Sequence, residues 1–176
     1  MTLLAFNSKL THMDHRNPTR QKHLEPLPTV EKERLREALT LAGCRFTRQR
    51  EAVFTFLRSV HTHPTAEEVF QAVRTEIPNI SLATVYKSLE ALVDSHLALK
   101  LSFGDGPSRY DCRTDRHYHI HCTKTGQVRD LPLNPDASLL DKLSPDLRTQ
   151  LQAIGFQVTD YRLELLGQFT GSAPLT

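Results

Sequence analysis

The most restrictive feature of the sequence is a run of four helical hydrophobic patterns followed by two short strand patterns. The first helical pattern covers residues 31–42, and the other three start at Thr47, Thr65 and Ser81. Each repeats apolar residues at spacings of three and four, which is typical of an amphipathic helix. Residues 97–103 and 108–112 then resemble strands on either side of Gly- and Pro-rich turn residues, which predicts a hairpin. Helices followed by such a hairpin predict a winged helix-turn-helix.

The second half of the chain begins with strand patterns. Residues 118–122 and 127–131 are predicted to be strands, and residues 156–166 to be the last strand. Between them, Ser144 is expected to cap a helix whose first residue is Pro145. That helix carries Leu147, Leu151 and Ile154 on one apolar face.

The predicted fold class is therefore α+β, with an N-terminal winged helix-turn-helix followed by a small α/β domain. We expect a flexible extension at residues 1–30, the winged helix at residues 31–107 and the second domain at residues 108–176.

Composition excludes several classes of protein. No apolar run approaches the roughly 18 residues that a membrane-spanning helix needs. The N-terminal residues lack the basic start and the following apolar block of a secretory signal, so we expect no such signal. The three scattered cysteines do not suggest a disulfide framework, so we expect a protein of the reducing cytoplasm. The formal net charge of +2 is too small to indicate a partner.

Three histidines alternate along one predicted strand, at His117, His119 and His121. Residues two apart on a strand face the same side, so two imidazoles can share one metal ion. Carboxylates are near in the sequence at Asp111, Asp115 and Asp130, and adding them to imidazoles favours ions such as Fe(II) and Mn(II). An exposed sheet edge is the alternative interpretation of the same pattern.

The fourth helix is a candidate for reading DNA. Its outer face is predicted to carry small and polar side chains, with Tyr86 at the edge: Ser81, Ala83, Thr84, Lys87 and Ser88. Such a helix can approach base edges in a major groove. A basic cluster at the start of the second helix suits phosphate contacts, and it consists of Arg45, Arg48 and Arg50. A solvated helix face and a basic loop are the alternative.

Five segments occur together in an order that resembles the ferric uptake regulator family, most closely its peroxide-sensing branch. They are GCRFTRQREAVFTFL, HTHPTAEEVFQAV, IPNISLATVYKSLEALVDSHLA, SRYD and HYHIHC…GQVRDL. The resemblance implies a homodimer that binds double-stranded operator DNA. It further implies that residues 108–176 are the metal-binding dimerisation domain and that the protein is not an enzyme.

The resemblance also implies a ligand set for one regulatory divalent metal ion per chain. By motif it consists of His63, Asp111, His117, His119 and Asp130. Fe(II) or Mn(II) is favoured and Zn(II) is an alternative. Aspartate at 111 and 130, where iron-uptake members usually have glutamate, indicates the peroxide branch, in which a ligand histidine is oxidised; here the candidates are His63 and His117.

The chain departs from the family pattern at its cysteines. Two Cys-x-x-Cys pairs are reduced to Cys122, with Thr125 at the second position of the first pair. Only three cysteines exist, so a four-cysteine structural zinc site is not expected. Asp160 and Tyr161 replace the histidine of a further family site.

The leading hypothesis is a metal-dependent repressor that responds to peroxide, to iron or manganese level, or to both. A plain manganese, iron or zinc level sensor of the same family is the alternative. A metalloenzyme that uses two histidines and a carboxylate is a third hypothesis, and it leaves the winged helix unexplained.

Overall fold

The computed structural model describes residues 24–103 and 106–170. The helices are α1 (Thr29–Leu41), α2 (Arg48–Ser59), α3 (Ala66–Val73), α4 (Leu82–Asp94), α5 (Leu139–Leu143) and α6 (Leu147–Ala153). The strands are β1 (Leu99–Leu101), β2 (Arg109–Asp111), β3 (Tyr118–Cys122), β4 (Val128–Leu131) and β5 (Glu164–Gly167). Helices α1 to α4 with the β1–β2 hairpin form a winged helix-turn-helix, and β3 to β5 with α5 and α6 form a small α/β unit. This confirms the predicted fold class.

The first four helices begin near the residues that their sequence patterns predicted. The Thr47 hydroxyl accepts from the Arg50 amide at the start of α2, and the Ser81 hydroxyl accepts from the Thr84 amide at the start of α4. At α3, Thr65 and Glu68 form the predicted capping box, which satisfies two amides that the helix leaves unpaired. Local hydrogen bonding therefore determines where these helices begin.

The helical half has its own apolar core. Its fully buried side chains include Leu35 and Leu39 of α1, Val53 and Leu57 of α2, Val69 and Val73 of α3, and Val85, Leu89 and Leu92 of α4. Complete burial of an aliphatic side chain of this size contributes about 1.5–3 kcal/mol relative to exposure. This core holds the outer face of α4 in a fixed position.

The wing is attached to the start of α3. Strands β1 and β2 pair antiparallel, with Leu99 opposite Asp111. The Tyr110 amide donates to the Pro64 carbonyl at 2.9 Å, and Thr65 forms a bridge with Arg109. The end of β2 therefore lies beside the loop that precedes α3. Residues 104 and 105 at the predicted hairpin tip lie outside the described residues.

The second sheet has the strand order β4–β3–β5. Strand β3 pairs antiparallel with β4, which places His119 opposite Asp130, and parallel with β5, which places His119 opposite Glu164. Strand β3 therefore lies at the centre of this sheet, and its predicted bounds are confirmed.

The region after residue 131 differs from the prediction. Ser144 ends α5, which was not predicted, and α6 begins at Leu147 rather than at Pro145. Ile154 is 77% exposed and not part of a buried apolar face. The last strand is limited to Glu164–Gly167, because the residues before it form no ladder with β3.

The extension predicted for residues 1–30 lies mostly outside the described residues, and α1 already begins at Thr29. Within residues 24–103 and 106–170, the structure contains no helix with the length and apolar character that crossing a membrane requires.

Candidate metal centre

Five side chains from four parts of the chain meet at one point between the wing and the second sheet. They are His63, Asp111, His117, His119 and Asp130, and one donor atom from each lies within 4.8 Å of all the others. The first four residues are buried and Asp130 is half-buried. The structure therefore brings together all five residues of the candidate ligand set.

His63 reaches the cluster from the loop before α3. Its backbone lies in the left-handed region, with φ of 48°, a conformation that costs a non-glycine residue free energy. The Arg109 guanidinium donates to the His63 carbonyl at 3.0 Å and to Glu68 Oε2 at 3.3 Å. Because Glu68 also closes the α3 capping box, the helix start and the wing together hold His63 in place.

The other four residues are positioned by strand pairing. His119 lies on β3 and His117 is the residue directly before this strand. Their side chains share one face of the sheet. The antiparallel register places Asp130 of β4 opposite His119. Asp111 ends β2 and enters the same space from the wing.

The donor atoms approach one another closely without forming hydrogen bonds. His63 Nε2 lies 2.9 Å from Asp130 Oδ1 and 3.3 Å from Asp111 Oδ2, and His117 Nε2 lies 2.9 Å from Asp111 Oδ2. These buried atoms, and both ring nitrogens of His119, have no hydrogen-bond partner among the described residues. Unpaired buried polar groups are costly. Convergence of unpaired nitrogen and oxygen donors on one point fits a divalent ion.

The environment keeps the Asp111 carboxylate ionised and the His119 ring neutral, which are the forms that bind a metal ion. Burial acts to raise the pKa of Asp111, but the neighbouring His117 and His63 and the Arg113 amide outweigh burial and lower it. The same carboxylate raises the pKa of His117. Burial, together with repulsion from His117 and His63, lowers the pKa of His119 to about 4. His119 is therefore neutral at pH 7, as a metal ligand must be.

Two candidate residues lie outside the cluster. Asp115 is exposed and accepts hydrogen bonds from Arg113. His121 donates from Nδ1 to Glu164 Oε1 at 3.0 Å on the neighbouring strand. The third histidine of the alternating pattern thus connects β3 with β5.

The candidate DNA-binding residues lie on the helical half. On α4, Ala83 and Lys87 are exposed, Thr84 is half-buried, and Ser81 is exposed at the cap. The Tyr86 hydroxyl donates to Glu67 Oε1 of α3 at 2.8 Å, so this ring is held against the neighbouring helix. The prediction that Ser88 faces outward was wrong, because Ser88 is 3% exposed and bonds to the Thr84 carbonyl.

The three candidate arginines lie at or just before the start of α2. Arg48 and Arg45 are exposed, while Arg50 is half-buried and donates to the Arg45 carbonyl. This bond fixes the loop that leads into α2.

Two arginines around the cluster were not identified in the sequence. Arg109 holds His63, and Arg113 contacts both carboxylates of the cluster. Arg109 lies within the SRYD segment and Arg113 follows it, but neither position indicates a role, since the direction of a long side chain next to a strand depends on which loops pack there.

The loop before α3 and the end of β2 belong to the winged helix, and they share a buried histidine–aspartate cluster with the second sheet. This combination defines a metal-responsive transcriptional regulator. Comparison with known proteins gives the family. The model of the ferric uptake regulator family matches residues 41–166, and the chain belongs to that family.

Individual relatives include regulators named for peroxide and for manganese. The peroxide-responsive repressor PerR of Staphylococcus aureus is 38% identical over 130 residues, which are 74% of this chain and 83% of that protein. A zinc-bound manganese uptake regulator is 29% identical, with a TM-score of 0.57 over 77% of this chain and 98% of its own. The peroxide stress regulator of Campylobacter jejuni is 25% identical, with a TM-score of 0.52 over 84% and 100%.

Proposed function

We propose that this protein is a repressor whose operator binding requires one divalent ion held by the five-residue cluster, His63, Asp111, His117, His119 and Asp130. The observation that carries the proposal is the convergence of buried, unpaired donor atoms from both halves of the chain. Three imidazoles with two carboxylates favour Fe(II) or Mn(II), and imidazole nitrogens also suit Zn(II).

The cluster gives the ion a mechanical role. His63 belongs to the loop that begins α3, whereas His117, His119 and Asp130 belong to the second sheet. An ion bound by all of them favours one relative angle of the two halves, to the extent that it binds that angle more tightly than others. The angle of the winged helix in turn determines whether both copies in a dimer reach the operator half-sites.

We also propose a homodimer on double-stranded operator DNA in the cytoplasm, without enzymatic turnover. In this proposal, α4 enters the major groove with Ala83 near base edges, while Lys87 and the arginines at the start of α2 contact phosphates. Metal-dependent operator binding without turnover separates a regulator from the metalloenzyme hypothesis.

The test is operator binding at one salt concentration by protein treated with a chelator and by protein loaded with Mn(II). We expect the loaded protein to bind more tightly, by about 5–150-fold for a typical coupling free energy. His63→Ala should lose this difference while remaining a dimer. His61→Ala is the control, because His61 is exposed and lies outside the cluster. Equal binding by chelated and loaded protein would contradict the proposal.

Peroxide sensing is the finer proposal, supported by the similarity to the peroxide-responsive repressor. A bound Fe(II) ion would supply the redox chemistry that activates peroxide next to these ligands, acting as a catalyst of the net reaction. The rings of His63 and His117 place ligand nitrogens within 2.9 Å of the carboxylate oxygens. Net addition of one oxygen atom from hydrogen peroxide to either ring, with release of water, weakens that ligand and frees the two halves.

Peptide mass spectrometry after brief peroxide exposure tests this step. We expect oxygen addition at His63 or His117 in the Fe(II) form, loss of operator binding, and neither change in the Mn(II) form. An unmodified Fe(II) form that stays on DNA would instead support a metal-level sensor. The similarity to the manganese uptake regulator favours this second candidate.

A further inference from the structure

Arg113 lies in the loop between β2 and β3 and connects both carboxylates of the cluster. Its backbone amide donates to Asp111 Oδ1 at 2.7 Å, and Nη1 of its guanidinium donates to Asp130 Oδ2 at 3.1 Å. Each bond engages the carboxylate oxygen that is not directed at the histidines. Oδ2 of Asp111 and Oδ1 of Asp130 remain for the ion.

The guanidinium is itself held in place. Nε and Nη2 of Arg113 donate to the Asp115 carboxylate at 3.0 and 2.8 Å, which leaves Nη1 directed at Asp130. The Asp115 carbonyl also accepts from His117 Nδ1 at 2.7 Å, which directs His117 Nε2 into the cluster. The loop therefore orients three of the five candidate ligands from outside.

We propose that Arg113 is a positioning residue whose guanidinium restricts Asp130 to one ligand oxygen, as its backbone amide restricts Asp111, and thereby sets the coordination number of the bound ion. The inference rests on the proposed metal site. With both carboxylates restricted, the chain offers five donor atoms, one per residue. Without the guanidinium, the second oxygen of Asp130 becomes available as a sixth donor.

A residue that positions metal ligands and an ordinary surface ion pair have different expected effects when the residue is replaced. Arg113 is about half-exposed, and exposed ion pairs contribute little to stability. Residues that orient metal ligands from outside the coordination sphere, however, typically change metal affinity by about 10–100-fold when they are replaced. We therefore expect a large effect on metal binding and a small effect on folding.

The experiment compares Arg113→Ala with Arg113→Lys and with the control Arg116→Ala. Arg116 lies in the same loop and carries the same charge, but it pairs with Asp160 and not with the cluster. Mn(II) affinity is measured by titration, and Co(II) absorption bands report the coordination number. Thermal unfolding of each metal-free variant checks that it folds.

We expect Arg113→Ala to bind Mn(II) about 10–100-fold more weakly, because an Asp130 carboxylate that is no longer oriented must be ordered when the ion binds, even though it can offer a second oxygen. The intensity of its Co(II) absorption bands should decrease toward that of six-coordinate Co(II). Arg113→Lys should recover part of the affinity, since one ammonium can reach Asp130 but cannot hold the fork with Asp115. Arg116→Ala should match the wild type in both measurements.

Wild-type affinity and unchanged Co(II) bands in a folded Arg113→Ala would overturn the inference while leaving the metal site intact. Failure of the underlying proposal has a different result. In that case, the wild type and His119→Ala would bind Mn(II) equally.

Discussion

The His119 ring should destabilise the metal-free protein and stabilise the metal-loaded protein. The His119 side chain is 5% exposed, and neither ring nitrogen has a hydrogen-bond partner among the described residues. Because its pKa is lowered to about 4, the ring is neutral at pH 7 and no charge pairing offsets the lost hydration. His119→Leu removes this unpaired polar group and replaces it with an apolar side chain of similar size.

The magnitude follows from the cost of burying an unpaired polar group, which is about 1–3 kcal/mol in proteins. For a chain of 150–250 residues, 1 kcal/mol shifts the unfolding midpoint by about 2–4 °C. Metal-free His119→Leu should therefore unfold at a temperature about 2–12 °C higher than the metal-free wild type. The stabilisation lost with the ring contacts to His63 and His117 reduces this gain.

The metal-loaded forms should show the opposite order. Ligand at a hundredfold excess over its Kd stabilises a protein by about 2.7 kcal/mol, which is about 5–11 °C here. The wild type should gain this increment on adding Mn(II), and His119→Leu should lose most of it. The assay is thermal unfolding at pH 7 with chelator and with Mn(II).

His121→Leu is the matched control on the same strand face. Its imidazole is bonded to Glu164, so the variant should gain no stability and should keep the Mn(II) response. A metal-free His119→Leu that is less stable than the wild type, or one that keeps the full response to Mn(II), would refute the reasoning.

Three further predictions concern other parts of the molecule. Hydrogen bonds from the Thr125 side chain and the Phe169 amide lower the pKa of Cys122 to about 7, so Thr125→Ala should raise the midpoint of thiolate absorbance toward the ordinary thiol value. Elemental analysis of mildly purified protein should find no chelator-resistant zinc, because three cysteines cannot form a four-cysteine site; one such zinc per chain would contradict this. Lys87→Ala should weaken operator and random DNA equally and reduce the salt slope by about 1, while Ala83→Val should change the preference at a single base pair.

The sequence predicted those elements whose signals are local. Helices α2, α3 and α4 begin where Thr47, Thr65 and Ser81 cap them. Each cap is a hydrogen bond to an amide three residues further along the chain, so its signal is present in the local sequence. Strand β3 was predicted to the residue, since alternation in His117–Cys122 is visible without knowing its partners.

The elements that depend on distant packing were predicted poorly. Helix α6 begins at Leu147 rather than Pro145, and strand β5 begins at Glu164 because only residues 164–167 pair with β3, a long-range contact that no local pattern reveals. Spacing alone did not link His63 to the histidines of β3; only the family resemblance did. Arg113 carried no signal, because its role depends on the packing of its loop against β4.

The cluster also bears on how long the protein survives in a cell. Its donors come from segments far apart in the sequence, and without an ion they hold a costly, unpaired group of atoms at the junction of the two halves. Proteases cleave chains that open transiently, and a ligand that binds only the folded state makes opening rarer, so we expect the metal-free form to open more often than a metal-bound form. In metal-starved cells, repression would therefore decline through degradation as well as through loss of DNA affinity, and recovery would require new synthesis of the regulator.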